Sequence, residues 1–358
     1  MPKSIVYFQP VDNSRDKVRV AHSFKNLIKI SGLLNDFKKG ELVPIKMHLG
    51  EKGNTGHVGA KAAKVAIDKI KSVAAKPFIT ETNVLYQGSR VNAVDHLMLA
   101  SVHGFDPVTL GAPVIISDGF WGENAMDVKI DKKHFESVNI ARPVMYFDSI
   151  VSIAHVTGHM LTGVAASLKN MGMGLASRTG KLKQHSNIKP HVKVENCTFC
   201  KRCIKHCPVE AIIEKDEKAF IKQDACIGCA ECISVCKFGA IADDYGEDAK
   251  VLSEKMVEYA YGVLLNIKKK VFFNFALHIT KNCDCMAKDE PFIVDDIGIF
   301  ASSDPVACDK AAADMVVQRA SEDIFKKVYP QADFYMNQLI YAQSIGLGKM
   351  DYELVIAL

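Results

Sequence analysis

The sequence predicts an α/β fold: a core built on a mostly parallel, layered sheet, with a smaller α+β module inserted into it. Two observations carry this. Strand-length apolar runs alternate with helical periods on both sides of a cysteine-rich block, the pattern of a parallel sheet with crossover helices. The block itself repeats one cysteine spacing twice and interrupts an alternation that resumes beyond it. The expected parts are residues 1–190 for the first part of the core, 191–245 for the module and 246–358 for the rest of the core. A segment flanked in this way is expected at a surface loop.

The elements follow in order. IVYFQPV (5–11) and VPIKMHL (43–49) read as buried strands. Residues 59–75 have a helical period that puts Ala63, Ala66, Ile67, Ile70 and Ala74 on one face. PFITETN (77–83) is a strand, and SRVNAVDHLMLASVHG (89–104) a helix closed by its glycine. PVIISDG (113–119) and SIVSIAHV (149–156) are further strands. Beyond the cysteines, 248–269 is a long amphipathic helix, VFFNFALHI (271–279) and DIGIFASS (296–303) are strands, and YELVIAL (352–358) closes the sheet. Asp304–Pro305 is a helix N-cap with proline at the first helical position, and Cys308 after it is a core residue.

Composition narrows the class. Of 358 residues, 48% are hydrophobic and 24% charged, enough for one large core or two domains. Net charge is only +4, and the one basic run, IKKK at 267–270, reads as a solvated helix end. No clustered Lys/Arg footprint suits a nucleic-acid backbone. No apolar run approaches the eighteen or so residues of a membrane span, and MPKSIVYFQP lacks a signal-peptide core. The expectation is a cytoplasmic protein. Eleven cysteines in that setting point to metal or redox chemistry rather than structural disulfides.

Eight of them form the block. Cys197, Cys200, Cys203 and Cys207 follow C-x2-C-x2-C-x3-C, and Cys226, Cys229, Cys232 and Cys236 repeat it 29 residues on. CPVEAI (207–212) aligns with CKFGAI (236–241). A pair of zinc knuckles is the alternative, but zinc ribbons favour two C-x2-C pairs across a long loop without the third cysteine. The spacing resembles two-cluster bacterial ferredoxins, in which the fourth cysteine of each run serves the other cluster. The resemblance implies a ferredoxin-like module in which Cys197, Cys200, Cys203 and Cys236 hold one [4Fe–4S] cluster, and Cys226, Cys229, Cys232 and Cys207 the second. Lys237 stands where that family has a second proline. Between 191 and 245, eight Lys and Arg oppose nine Asp and Glu, with Lys201, Arg202 and Lys205 beside the first run. The two clusters are expected to differ in potential.

The unusual residues of the core lie where strands end: HLGEKGNTGHVG (48–59), TETNVLYQGSR (80–90), SDGFWG (117–122), AHVTGH (154–159) and TKNCDC (280–285). In open parallel sheets the carboxyl ends of strands line the ligand crevice, so these loops are expected to converge. HLGEKGN, TETNVLYQGSR, SDGFWG, NCDC and GIFASSDPVACDKA together resemble a widespread prokaryotic family of iron–sulfur-centre proteins carrying domain of unknown function three-six-two. That resemblance covers most of the chain and adds Tyr86, Arg90, His96 and Trp121 as pocket candidates, Arg90 as a bidentate carboxylate binder.

AHVTGHMLTGVAASLKNMGMG (154–174) holds His155, His159 and Lys169, the candidate catalytic residues. Val156 stands where a zinc protease has its glutamate, and the alternative is two histidines hydrogen-bonded near a strand end. The stretch is similar to that of nickel-pincer lactate racemases, in which the second histidine precedes a cofactor-bearing lysine by ten residues, as His159 precedes Lys169. Gly158 and SLK depart from that family's proline and GRK. A pocket-lining role carries over, and the nickel cofactor does not. Cys283 and Cys285 could bind a metal, act as a redox thiol pair, or be inert. Gly50, Gly53 and Gly56 make a loop able to approach an anion, though neither a P-loop nor a dinucleotide fingerprint.

The expected function is an oxidoreductase relaying single electrons through two clusters to a pocket that takes a small molecule, with room for a further metal or small-molecule cofactor. A redox partner protein, ferredoxin or reductase, follows from that. The alternatives are an electron-transfer protein without a substrate and a racemase-like metal-cofactor enzyme.

Overall fold

Alternating strands and helices assemble one eight-stranded sheet in the computed structural model, which describes residues 2–86, 88–185, 190–207, 209–226, 232, 235–236, 238–242, 249–330 and 335–357. In chain order the strands are β1 (Ser4–Pro10), β2 (Leu42–Met47), β3 (Lys76–Glu81), β4 (Val114–Ile116), β5 (Ala125–Lys129), β6 (Ser137–Ala141), β7 (Ser149–His155), β8 (Thr157–His159), β9 (Gly163–Ala165), β10 (His191–Val192), β11 (Ile212–Lys215), β12 (Lys218–Ile221), β13 (Ile241–Ala242), β14 (Lys269–Ala276), β15 (Gly298–Ser302) and β16 (Tyr352–Ile356). The large sheet runs β16-β1-β15-β14-β7-β2-β3-β4. Its pairs are parallel except the two made by β15, which runs against β1 and β14. The fold is α/β.

Helices cover both faces, so the central strands are apolar on both sides. All seven residues of β7 are buried. In β14, Phe272 enters one core while Phe273 and Phe275 enter the other. The second of these cores takes its helical side from Lys17–Ser31 and Ala60–Ser72, and Phe24 meets Phe273 and Phe275 edge-on at 4.9 and 5.0 Å. The first is closed by Ala249–Leu264, Pro305–Ala320 and Met336–Ser344.

Several expectations shift by a few residues, and one changes character. The IKKK run is not a helix end. The helix stops at Leu264, Lys269 and Lys270 open β14, and the Lys269 ammonium sits 4.0 Å from the Phe37 ring. The helix expected from 89 begins at Ala93, where Asn92 accepts from the Asp95 N–H, and the described residues of the segment before it, 82–86 and 88–92, are loop and carry Tyr86 and Arg90. Asp304 caps its helix through the N–H groups of Val306 and Ala307 at 2.9 and 3.1 Å, and Cys308 is fully buried. β16 closes the sheet edge beside β1.

Between 190 and 242 the described residues include two small antiparallel pairs, β10–β13 and β11–β12, and a short helix, Arg202–His206. Their core joins Ile212, Ile221 and Ile241 to Cys197, Cys203, Cys232 and Cys236. The duplication reappears in hydrogen bonding. Ala211 N–H donates to Cys207 Sγ at 3.2 Å, and Ala240 N–H to Cys236 Sγ at 3.3 Å, the same four-residue offset in each copy. Cys229 lies outside the described residues.

Candidate functional site

Strands β14, β7, β2, β3 and β4 are consecutive neighbours and parallel, so their carboxyl ends open on one side. The loops that leave them carry Cys283 and Cys285, His159, His48 and Glu51, Tyr86 and Arg90, and Asp118. The structure thus brings the expected His, Lys, Arg and Cys candidates to one crevice.

At its centre is the Cys283 thiol. A hydrogen bond with the Cys285 thiol and the Lys169 ammonium draw its pKa down to about 5, against the opposing pull of burial. Burial likewise works against the Lys169 ammonium, but Cys283 and Cys285 outweigh it and its pKa is raised. Cys285 moves the other way, pushed up by its bond to Cys283 and by burial, so it keeps its proton and donates it. His48 Nε2 lies 3.6 Å from Cys285 Sγ, while His48 Nδ1 accepts from the Gly50 N–H at 3.0 Å. With Nδ1 an acceptor, a neutral His48 donates from Nε2. The hydrogen bonds therefore run His48 to Cys285 to Cys283, with Lys169 on the thiolate as well.

Lys169 is fixed by its helix, Ser167–Gly172. Asp309 accepts from the Ser167 and Leu168 N–H groups at 2.9 Å each, satisfying donors that a helix start leaves open. Asn170 ties the same turn to the sheet, through Ser152 Oγ at 2.9 Å, the Lys46 carbonyl at 3.0 Å and the Lys46 ammonium at 2.9 Å. Gly158 lets the TGH loop lie on the loop before Cys283: a Cβ there would stand 2.3 Å from the Lys281 carbonyl oxygen.

The two histidines differ. His155 Nδ1 lies 2.8 Å from Asp284 Oδ1, and Nε2 2.7 Å from the Leu277 carbonyl. Both partners accept, so both nitrogens carry protons and the ring is an imidazolium. Asp284 outweighs burial and raises its pKa. No nitrogen is left for a metal or for taking a proton. His155 positions Asp284, and with it the Cys283–Cys285 turn. His159 Nδ1 accepts from the Leu161 and Thr162 N–H groups at 3.3 and 3.2 Å, and burial beside Lys169 lowers its pKa to about 3. It is a neutral imidazole with its proton on Nε2, a donor to whatever enters.

Arg90 is only 1% exposed and already engaged. Its Nε donates to Glu51 at 3.0 Å, one Nη to the Tyr86 hydroxyl, and the other lies 3.8 Å from Glu81. Glu81 also holds the Lys46 ammonium at 2.8 Å. Arg90 is thus part of a buried charge network rather than a free carboxylate binder, which is the reading its sequence suggested. Trp121 stands exposed, away from that role. His96 is fully buried with both ring nitrogens unpartnered, and Asp118 Oδ2 and Asn83 Oδ1 are unpartnered as well. Buried polar atoms without partners are expensive, and these four suit a crevice that takes a polar guest.

Sequence reasoning missed His48, Glu51, Glu81, Lys46 and Lys181. Lys181 donates to Thr82 Oγ1 at 2.5 Å and to the Ala176 carbonyl at 2.7 Å, facing Asp118; burial lowers its pKa and raises that of Asp118. Glu51 and Glu81 lie inside HLGEKGN and TETN, so the strand-end rule covered their segments without singling them out.

For the cysteine block, the described residues contain no group of three or more His, Cys, Asp or Glu placed to hold a single metal ion. Cys203 nevertheless feels Cys200, Cys236 and Cys197, which, after burial, help raise its pKa. Those are the four thiols assigned to one cube, and a four-iron cube holds its thiolates farther apart than one ion does. The N–H donors on Cys207 and Cys236 Sγ suit thiolate ligands. On these grounds the donor set fits an iron–sulfur centre.

Residues 43–314 match the family described as Domain of unknown function (DUF362). No curated protein matches the sequence. Among solved structures, a protein from Thermotoga maritima aligns at 10% identity and a TM-score of 0.45, over 87% of this chain and 60% of its own. The lactate racemase apoprotein from Thermoanaerobacterium thermosaccharolyticum aligns at 12% identity and a TM-score of 0.44, over 88% of this chain and 57% of its own. This chain spans less than two thirds of the length of either. The family match extends over well more than half of the sequence, and the protein belongs to the DUF362 family.

Proposed function

We propose that the protein is an iron–sulfur oxidoreductase that acts on a small molecule at the Cys283–Lys169 crevice. The observation that carries this is the Cys283 thiol, held as a thiolate by Cys285 and Lys169 where five parallel strands end. Cys197, Cys200, Cys203 and Cys236 would hold one [4Fe–4S] centre, and Cys207, Cys226, Cys229 and Cys232 the other. Bound there, each centre supplies one-electron redox chemistry.

The chain's own residues define the rest. When the Cys283 thiolate and the Cys285 thiol join as a disulfide, two electrons and one proton leave the pair. Lys169 and the His159 Nε2–H are donors for negative charge growing on a bound molecule, in a site where burial strengthens both. His155 and Asp284 keep the turn between the two sulfurs in place. A redox partner protein, ferredoxin or reductase, exchanges electrons with the cysteine block.

Anaerobic purification followed by iron and sulfide analysis and pH-dependent alkylation tests this. Iodoacetamide is expected to label Cys283 fastest near pH 6, and Lys169→Met to slow that labelling by about tenfold or more at the same pH. A Cys283 that labels only above pH 8 removes the thiolate, and a chain without iron removes the clusters.

One observation favours a second reading: Lys169 and His159, ten residues apart in the sequence, lie close enough that the Lys169 charge helps lower the His159 pKa. An amine beside an imidazole donor could anchor a covalent cofactor, as in a racemase-like enzyme. The intact mass of the native protein distinguishes the two, because an adduct on Lys169 supports only this one.

A further inference from the structure

Helices Lys17–Ser31 and Ala60–Ser72 flank a cavity of about 480 Å³, and a second of about 650 Å³ opens beside it. Ser14, Lys17 and His278 line both. Val20, Ala21, Leu110, Phe275 and Leu277 give the first apolar walls. Its lining contains three lysines and four histidines and no carboxylate. Such a pocket, apolar with a few convergent polar groups, is of the usual small-ligand size.

Two polar groups at the junction lack partners. Ser14 is 3% exposed and its Oγ makes no hydrogen bond, and His278 Nε2 is buried and unpartnered. His278 also has φ +52°, a left-handed backbone that such a side chain seldom adopts. It is held there by its own N–H, which donates to Asp296 Oδ1 at 2.6 Å, and by the Phe292 ring at 4.3 Å. Strain of this kind tends to persist where a side chain must be aimed. Gly56 makes the room, since a Cβ there would stand 2.9 Å from the His278 ring. The carboxylate that Lys17 feels, Asp296, already accepts two backbone N–H groups, those of Ser14 and His278, at 2.6 Å each.

We propose that this junction binds an organic carboxylate, its head at Ser14, Lys17 and His278 and its apolar body, a medium chain or single ring, in the 480 Å³ cavity. The apolar walls select an organic carboxylate over inorganic phosphate, because they offer a hydrocarbon body somewhere to go. Burial lowers the pKa of His57 to about 4 and lowers that of His278, so both are neutral donors; Lys17 is the one cation that lines both cavities, while Lys61, Lys64 and the His155 imidazolium line the first and Arg15 and Glu290 the second. The inference goes beyond the thiolate reading. His155 lines the cavity, and Asp284 stands between it and the sulfurs.

Calorimetric titration of the full-length, anaerobically purified protein with octanoate, octanol and inorganic phosphate tests the site. Octanoate is expected to bind once, about tenfold tighter than octanol, with phosphate far weaker. Lys17→Gln and Ser14→Ala should each weaken octanoate about five- to tenfold and leave octanol unchanged. Ala21→Trp, placed on the half-exposed side of its helix, should fill the cavity and remove both. Cys283→Ala should bind octanoate as the parent does, so loss of the thiolate reading would leave this one standing. No octanoate binding up to millimolar concentration overturns the proposal. So does octanoate binding no tighter than octanol or phosphate, or unaffected by Lys17→Gln.

Discussion

Glu81 shows what single residues do in this crevice. It is 3% exposed, yet it holds Lys46 at 2.8 Å and faces Arg90. Burial alone would raise its pKa, but Lys46, His48 and Arg90 more than offset that and bring it to about 2. A carboxylate with a depressed folded pKa stabilises the fold above its unfolded value, here about 4.5, and loses that contribution as the pH falls through about 2. Glu81→Gln leaves the buried Lys46 ammonium without its carboxylate and Arg90 with Glu51 alone, and should cost about 3–5 kcal/mol at pH 7. The cost should narrow steadily below pH 4.5, because the unfolded parent takes up a proton there that folded Glu81 refuses until about pH 2. Urea unfolding of both proteins at pH 7 and pH 3 checks it, and a gap of equal size at both values refutes the assignment.

At the scale of elements, the short helix Ser167–Gly172 links fold to chemistry, since it carries Lys169 and packs on Ala249–Leu264. Gly172 permits the approach: a Cβ there would stand 2.1 Å from the Met256 carbonyl oxygen, which the helix backbone holds fixed. Gly172→Ala should therefore destabilise by about 1–3 kcal/mol and move Lys169 off the thiolate, raising the pH at which Cys283 is alkylated. Thermal unfolding together with labelling reads both, and a destabilised variant with unchanged labelling would break the link between helix and thiolate. The same element shows what could be read from residues alone. His159, Lys169, Cys283 and Cys285 stand out because their types are rare and their spacing unusual. The strands stand out because burial on both faces leaves continuous apolar runs, as in VFFNFALHI. The charge network does not. Lys46 in VPIKM and Glu81 in ITET look like ordinary solvent-facing strand positions, and only the pairing of β2 with β3, Lys46 opposite Thr80, brings them together. Lys181 lies in RTGKLKQH, a run polar enough to read as solvated, yet it is buried against Thr82.

At the scale of the molecule, the cysteine block and the crevice are joined through two helices. Arg178–His185 leaves the crevice at Lys181 and leads into the block, and Ala249–Leu264 returns from it, packing on both the former and the Lys169 helix. Burial, with Lys169, Lys255 and Lys181 nearby, lowers the pKa of His185 to about 4. The block has its own small core of Ile212, Ile221 and Ile241, separate from the two cores of the large sheet. A core this small cannot hold its shape by apolar burial alone, so the proposed iron–sulfur ligation of the cysteines should supply much of its stability. The large sheet, with Phe24, Phe273 and Phe275 packed on one face and Phe272 and Phe300 on the other, needs no such help. Cys200→Ala with Cys229→Ala is therefore expected to remove iron and loosen 191–242, while the sheet keeps its unfolding temperature and Cys283 its low-pH alkylation. Hydrogen exchange resolved along the chain separates these regions. Protection lost equally in β7 and β14 would mean that block and sheet fold as one unit.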